Sequence, residues 1–334
     1  MFRPESSGGA AGVNGVDEAE RVWRICLAVG EARRAGGLVP GAAARALHEA
    51  GDGSIVAAPL AGASPSAPVA RWSAAEGWVL PDVADGAGRD LLELYRPVLQ
   101  LRSHTTFVLA HLGQSIDGQI ATRTGDSRYV NCPADITHLH RLRALCDAVI
   151  VGRETASVDD PMLTTRLVTG PNPVRVVLDP DGRLPSTIQL LTDGRADTLV
   201  VCANEHLAHA HRRFGESRVR GGGGAGAMLD LAELRDGLAQ RGLYVLFVEG
   251  GGVTVSRFVE HGVADRLHLA VAPVLVGAGR SGLQLIGEPL MRDNLRPAHR
   301  LFRMGADVLW DFDLRAPRPA QGDGAGDGAI RFIG

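Results

Sequence analysis

The spacing of apolar positions changes near residue 103. Before it, Val22, Ile25, Cys26 and Val29 recur at helical spacing and predict a helix over 17–34. Asp17 is placed to cap that helix and Gly36-Gly37 to end it. A second short helix is expected over 41–50 and another over 89–101. Between them lie a run at 54–60, a Pro/Ala/Ser stretch at 61–70 and a polar segment holding Trp72 and Trp78. The Gly/Ser/Ala-rich start predicts a disordered N-terminus over 1–17, and the Gly/Pro/Asp-rich end a loose tail over 316–334.

After residue 103, short apolar runs alternate with helical patterns. Runs at 105–112, 147–152, 174–179, 198–203, 244–248, 266–272 and 307–314 read as strands. Segments 133–146, 204–215, 229–241 and 253–261 read as helices, and 220–227 as a glycine-rich loop. This order predicts an α/β sheet with both faces covered. No internal repeat is evident. The expected organisation is a disordered N-terminus (1–17), an accessory region of unknown role (18–103), the main domain (104–315) and the tail (316–334).

Composition removes several functions. All 35 basic residues are Arg, so lysine Schiff bases, P-loop lysines and lysine general bases are excluded. A net charge of −3, with no basic half, argues against a nucleic-acid partner. No apolar run approaches a membrane span, so no membrane partner is expected. Cys26, Cys132, Cys146 and Cys202 show no C-x-x-C spacing, which suits a reducing cytoplasm. The first hundred residues lack the H-x-E and P-C-x-x-C of a zinc deaminase. No H-E-x-x-H occurs, and no metal site is expected.

Candidate chemistry gathers at strand ends. Glu249-Gly250-Gly251-Gly252 joins a strand to a helix, an arrangement whose backbone N–H groups can hold phosphate. Thr254 and Ser256 could add hydroxyl donors. Glu249 could accept hydrogen bonds from a polar ligand or complement the helix dipole. Gly113 to Gly118 carries a turn-forming S-x-D-G. Gly125 to Tyr129 is a polar loop whose ring could stack on a flat base. Asp160 before Pro161 signals a turn. Arg143 and Arg166 are candidates for a substrate phosphate, because guanidinium binds phosphate bidentately.

These segments, in this order, resemble the reductase half of the bifunctional riboflavin-biosynthesis deaminase/reductase, without its deaminase domain. The matching pieces are S-I-D-G-Q-I-A-T (115–122), G-D-S-R-Y (125–129), L-R-A (142–144) and D-A-V-I-V-G-R-E-T (147–155). D-D-P-M-L-T-T-R (159–166), R-V-V-L-D (175–179), V-E-G-G (248–251) and the stretch 262–277 complete the set. The resemblance covers roughly 104–315. It implies a dihydrofolate-reductase-like fold with a mostly parallel sheet, a homodimer, and NADPH as cofactor. It also implies hydride transfer to C1′ of a phosphorylated ribosylaminopyrimidine, 5-amino-6-(5-phosphoribosylamino)uracil or a close analogue.

Carried over by motif, Gly113, Tyr129, Thr155, Asp159, Gly251, Gly252, Val253, Thr254, Val255, Ser256 and Arg257 are implied to contact the dinucleotide. Ser127, Arg143, Leu163, Arg166 and Glu249 are implied to contact the substrate, with Glu249 and His111 as catalytic candidates. Tyr129 stands where the family usually has Trp. His111 stands where it often has Lys, which opens a paralogous pterin, folate or secondary-metabolite reductase as an alternative. A non-catalytic nucleotide-binding module is a further alternative.

Overall fold

The computed structural model describes residues 13–36, 45–59, 68–73, 75–81, 86–128, 130–224 and 228–315. Its first part is α1 (Val13–Arg34), then β1 (Arg45–Glu49), β2 (Ile55–Pro59), β3 (Ala70–Ser73) and β4 (Gly77–Val79), then α2 (Ala87–Leu99). These strands form an antiparallel sheet in the order β2-β1-β3-β4.

The main sheet follows. Its chain order is β5 (Phe107–Ser115), β6 (Gln119–Thr122), α3 (Pro133–Leu145), β7 (Ala148–Gly152), α4 (Arg153–Val158), β8 (Val174–Leu178), α5 (Gln189–Thr192) and β9 (Thr198–Cys202). It continues through α6 (Leu207–Phe214), β10 (Val219–Gly221), α7 (Leu231–Ala239), β11 (Val245–Glu249), α8 (Gly252–Glu260) and β12 (Arg266–Ala272). β13 (Gly279–Ser281), β14 (Ala298–Met304) and β15 (Asp307–Asp313) close the series.

Nine strands run in the order β10-β9-β8-β7-β11-β5-β12-β15-β14. From β10 to β12 every pairing is parallel, and β15 and β14 close the edge antiparallel. The chain passes outward from β7 to β10, then returns to insert β11 between β7 and β5. That reversal makes a crevice at the carboxyl ends of the strands, where open α/β sheets take ligands. Among the described residues β13 pairs only with β6, and its Arg280 and Ser281 lie at this end.

Both faces of the sheet are covered, as the continuous apolar runs predict. On one face Phe107, Leu109, Val149 and Phe247 pack with residues of α1 to α6. On the other, Val108, Ala110, Ile150 and Val248 pack with α7 and α8. The first hundred residues share the first of these cores. The Arg33 guanidinium on α1 pairs with Asp147 at 2.8 Å, and Tyr95 Oη on α2 lies 2.7 Å from His138 Nδ1 on α3.

Three expectations for this first part are corrected. Residues 45–49 form β1 rather than part of a helix, because pairing on both sides with β2 and β3 overrides the helix-forming Ala, Leu and Glu. α1 begins at Val13, so Asp17 lies within it instead of capping it and the helix enters the segment expected to be disordered. Trp72 and Trp78 are buried, 2% exposed each, rather than part of a polar surface. Residues 1–12 and the tail 316–334 lie outside the described residues, as does most of the Pro/Ala/Ser stretch.

Candidate functional site

The glycine turn after β11 meets the sequence expectation in form. Gly251 precedes α8 in extended conformation, and no side chain caps the helix. The Gly251 N–H donates to Thr155 Oγ1 at 3.3 Å, and its carbonyl accepts from Thr254 and Val255. The Gly252 and Val253 N–H groups therefore stand at an open helix N-terminus, which favours an anion. Two glycines here serve packing instead of ligand approach. A Cβ on Gly252 would collide with the Gly282 backbone, and one on Gly152 would lie 2.6 Å from Thr254 Oγ1.

A cavity of about 490 Å³ opens over this turn, between the ends of β7 and β8 and the start of α8. Ser127, Thr155, Asp159, Gly251, Gly252, Val253, Thr254 and Arg257 of the predicted set line it. Leu178, Pro180, Leu229 and Leu231 give it an apolar end. Burial raises the Asp159 carboxyl above its ordinary value, with Arg280 opposing. Arg257 Nη2 is buried and has no hydrogen-bond partner among the described residues. Arg153, by contrast, is engaged by Asp181 at 3.0 Å, and Arg280 faces Glu154 at 3.6 Å.

Beside the cavity is a second group, built where α3 crosses the end of β11. Arg143 donates from Nε to Glu249 Oε2 at 2.9 Å, from Nη2 to Glu249 Oε1, and from Nη1 to the Thr164 carbonyl at 3.2 Å. One turn earlier on α3, His140 Nδ1 accepts from the Arg166 N–H at 2.9 Å. Burial, then Arg143 and Arg166, push the His140 imidazole down to about 4, so it stays neutral. The Arg166 side chain is exposed, and both Arg143 and Glu249 act on its charge. In the loop before it, Asp160 (φ 38°) and Leu163 (φ 52°) adopt the left-handed region. Such strain in non-glycine residues concentrates at ligand sites.

Several candidates fall elsewhere. His111 does not reach the cavity: it shares the core-facing side of β5 with Phe107 and Leu109, is 4% exposed, and lies 3.0 Å from Asp135 Oδ1. The reading of His111 as a catalytic group is corrected accordingly. Arg143 is not an open phosphate ligand, because Glu249 and Thr164 occupy its donors. Leu163 is 1% exposed and packs in the core, so it does not face the surface of the site. Val255 is core, and Ser256 Oγ accepts from Gln284 N–H at 2.7 Å. Gly113 gives room to Asn131, whose Cγ would lie 2.6 Å from an added Cβ. Tyr129 lies outside the described residues.

Sequence reasoning missed Arg280, Pro180, Leu229 and Leu231. Arg280 reaches the cavity only through the β13–β6 pairing of segments far apart in the chain. Arg153 was readable in G-R-E-T at the end of β7, but its setting beside Asp181 was not.

Comparison with known proteins places the main domain in a family. The RibD C-terminal domain matches residues 106–307. A relative from Methanothermobacter thermautotrophicus, named 2,5-diamino-6-ribosylamino-4(3H)-pyrimidinone 5′-phosphate reductase, is 32% identical over 63% of this chain and 98% of its own length. Riboflavin biosynthesis protein RibD of Bacillus amyloliquefaciens is 31% identical over 56% of this chain and 51% of its own, so the chain spans about half of that protein. The solved structure of Acinetobacter baumannii RibD superposes with a TM-score of 0.54 at 26% identity, covering 70% of this chain and 65% of that one. The match over 106–307, together with the nearly full-length match to a named reductase, shows that the chain belongs to the RibD C-terminal domain family and is an oxidoreductase.

Proposed function

We propose that the protein is an NADPH-dependent reductase of a 5′-phosphorylated ribosylaminopyrimidine in riboflavin biosynthesis, with 5-amino-6-(5-phosphoribosylamino)uracil or its 2,5-diamino-pyrimidinone relative as substrate. The observation that carries this reading is the junction at β11. One residue separates Glu249, paired with Arg143, from Gly251 at the open turn of the cavity. A site for a polar substrate thus adjoins a site for a dinucleotide.

The residues of the cavity fit a dinucleotide. The open N-terminus of α8 suits a diphosphate, the apolar end suits a base, and Arg257 keeps a donor free for a further phosphate. When bound, NADPH would supply a hydride to C1′ of the ring-opened substrate, in which the C1′–O4′ bond has broken to leave a C1′=N imine and an O4′ hydroxyl, and a proton on the nitrogen would complete the ribitylamino product. The protein's part is placement. Glu249 offers carboxylate oxygens to substrate N–H or O–H groups, Arg143 fixes their direction, and the exposed Arg166 guanidinium meets the 5′-phosphate. The α3 side chains shield this group from water on the core side.

The burial of His111 against Asp135 supports the ribosylaminopyrimidine reading over a pterin, folate or other altered substrate. Exposed Leu275, Ile286 and Met291 support a homodimer, and four free cysteines support a cytoplasmic setting. The test is turnover: loss of NADPH absorbance with the phosphorylated ribosylaminopyrimidine. Folded protein that binds NADPH but oxidises none with either pyrimidine would overturn the proposal. Turnover of dihydrofolate alone would move the activity to the pterin class.

A further inference from the structure

We infer that Trp23 and His140 are positioning residues for Arg166, so that the N-terminal helix α1 helps to build the substrate end of the site. The inference rests on the reading of Arg166 as the phosphate ligand. Arg166 sits in a loop that is closed on itself: Asn172 Oδ1 accepts from the Thr165 N–H at 2.8 Å, and Thr165 Oγ1 donates to the Pro171 carbonyl at 3.0 Å. A closed loop of this kind moves as a unit, so its anchors set where the Arg166 side chain begins.

Those anchors come from two helices. His140 on α3 is 1% exposed, and its Nδ1 accepts from the Arg166 N–H at 2.9 Å. The other ring nitrogen, Nε2, lies 3.3 Å from Arg143 Nη1. Trp23 on α1 is also 1% exposed, and its Nε1–H donates to the Thr169 carbonyl at 3.1 Å. Between these points Gly170 packs tightly: a Cβ there would lie 2.6 Å from Ala144 Cβ and 3.2 Å from Leu27 Cδ2 of α1. The loop is therefore gripped at its Arg166 end by α3 and at its far end by α1. Arg141 of α3 in turn lies over the Trp23 ring at 5.6 Å, which ties the two grips together. Neither anchor lines the dinucleotide cavity, so a positioning role should leave cofactor binding alone.

The experiment measures KM and kcat with the phosphorylated ribosylaminopyrimidine, and NADPH affinity by calorimetry, in Trp23→Phe, His140→Leu and His140→Asn. Each is also made in an Arg166→Gln background. Trp23→Phe keeps the ring and removes only the donor, and His140→Asn keeps an acceptor near the place of Nδ1. Loss of one such bond predicts a KM rise of roughly fivefold for Trp23→Phe and His140→Leu, with kcat and NADPH affinity held. His140→Asn should recover most of that rise, and in the Arg166→Gln background neither variant should add to it.

A rise with Arg166→Gln but none with Trp23→Phe and His140→Leu overturns the inference and leaves the reading of Arg166 standing. Equal losses in KM, kcat and NADPH affinity also overturn it, by making both residues general packing. No change of KM in Arg166→Gln itself removes the phosphate role from Arg166, and the inference with it.

Discussion

The Arg143 guanidinium closes on the Glu249 carboxylate through two parallel hydrogen bonds, joining α3 to the end of β11 one residue before the glycine turn. This fork fixes both side chains, because bidentate geometry allows little rotation of either partner. Arg143 is thereby committed to Glu249, and Arg166 is left as the exposed cation of the group.

Glu249→Gln tests that division of roles. The amide keeps the shape but replaces one acceptor oxygen with a donor facing the Arg143 fork. Turnover should fall by about 100-fold, the scale of losing a charged positioning contact, while NADPH affinity changes little. Steady-state kinetics beside calorimetry decide it; equal loss of both would put Glu249 in the dinucleotide site. Arg143→Met should cost more in folding, about 3–5 kcal/mol, because it leaves a mostly buried carboxylate unpaired. Urea unfolding measures that cost.

Arg257 should select NADPH over NADH. Its Nη2 has no partner among the described residues, whereas Arg153 is already engaged by Asp181. A charge-assisted bond to a 2′-phosphate predicts about tenfold weaker NADPH binding in Arg257→Gln, with NADH binding nearly unchanged. If both cofactors weaken equally, the guanidinium serves the shared diphosphate.

His111→Lys should bring no gain in activity. The resemblance set this position beside a frequent lysine, yet here the imidazole is held in the core against Asp135, which is itself 1% exposed. A longer ammonium in that space overpacks it, at a cost of about 1–3 kcal/mol. A lowered Tm with unchanged kcat/KM is the expected result. Higher kcat/KM at unchanged Tm would mean that this side chain reaches substrate after all.

Acid should destabilise the fold through its buried imidazoles. Burial lowers the His138 ring well below the ordinary 6.5, with His268 and His111 adding to the effect, and burial lowers His268 as well. His140 is pushed down to about 4. Above 6.5 these rings are neutral in both folded and unfolded chains, and pH has no effect through them. Below 6.5 the unfolded chain takes protons that the folded chain refuses, so stability falls as pH drops from 6.5 toward 4. Urea midpoints across that window should decline, and His140→Asn should make the decline shallower. A flat profile would show that these rings protonate freely in the folded state.

The sequence was most legible where one kind of force acted alone. β7, β8, β9 and β11 are buried on both faces, so each is a continuous apolar run between polar turns. β1 was misread because its Ala, Leu and Glu are good helix formers, and only pairing with distant β2 and β3 makes them a strand. β14 went unseen because it is an edge strand whose Leu301 stays 44% exposed, which weakens any alternation. At the site, local signals singled out the glycine turn and Thr254, and the resemblance singled out Thr155; these residues line the cavity. The Arg143–Glu249 fork spans 106 residues, and no local spacing encodes it.

Gly251 and Gly252 look equivalent in sequence and should respond differently to alanine. An added Cβ on Gly252 would lie 2.8 Å from Gly282 C and 2.9 Å from Ser281 O. These are backbone atoms, which cannot swing aside as a side chain would. Gly252→Ala must therefore push back the segment carrying Arg280 and Ser281, which line the cavity. Overpacking of this kind costs about 1–3 kcal/mol, and NADPH affinity should fall along with Tm. On Gly251 the nearest atom would be Thr155 Oγ1 at 3.6 Å, an ordinary contact, and its extended backbone suits alanine. Gly251→Ala should leave Tm unchanged and weaken NADPH binding only if a diphosphate comes close to that Cα. Thermal melts with and without NADPH separate the two cases. If Gly251→Ala lowers Tm without cofactor, the turn is held by packing at both glycines; if it alters neither Tm nor affinity, the diphosphate lies further along α8.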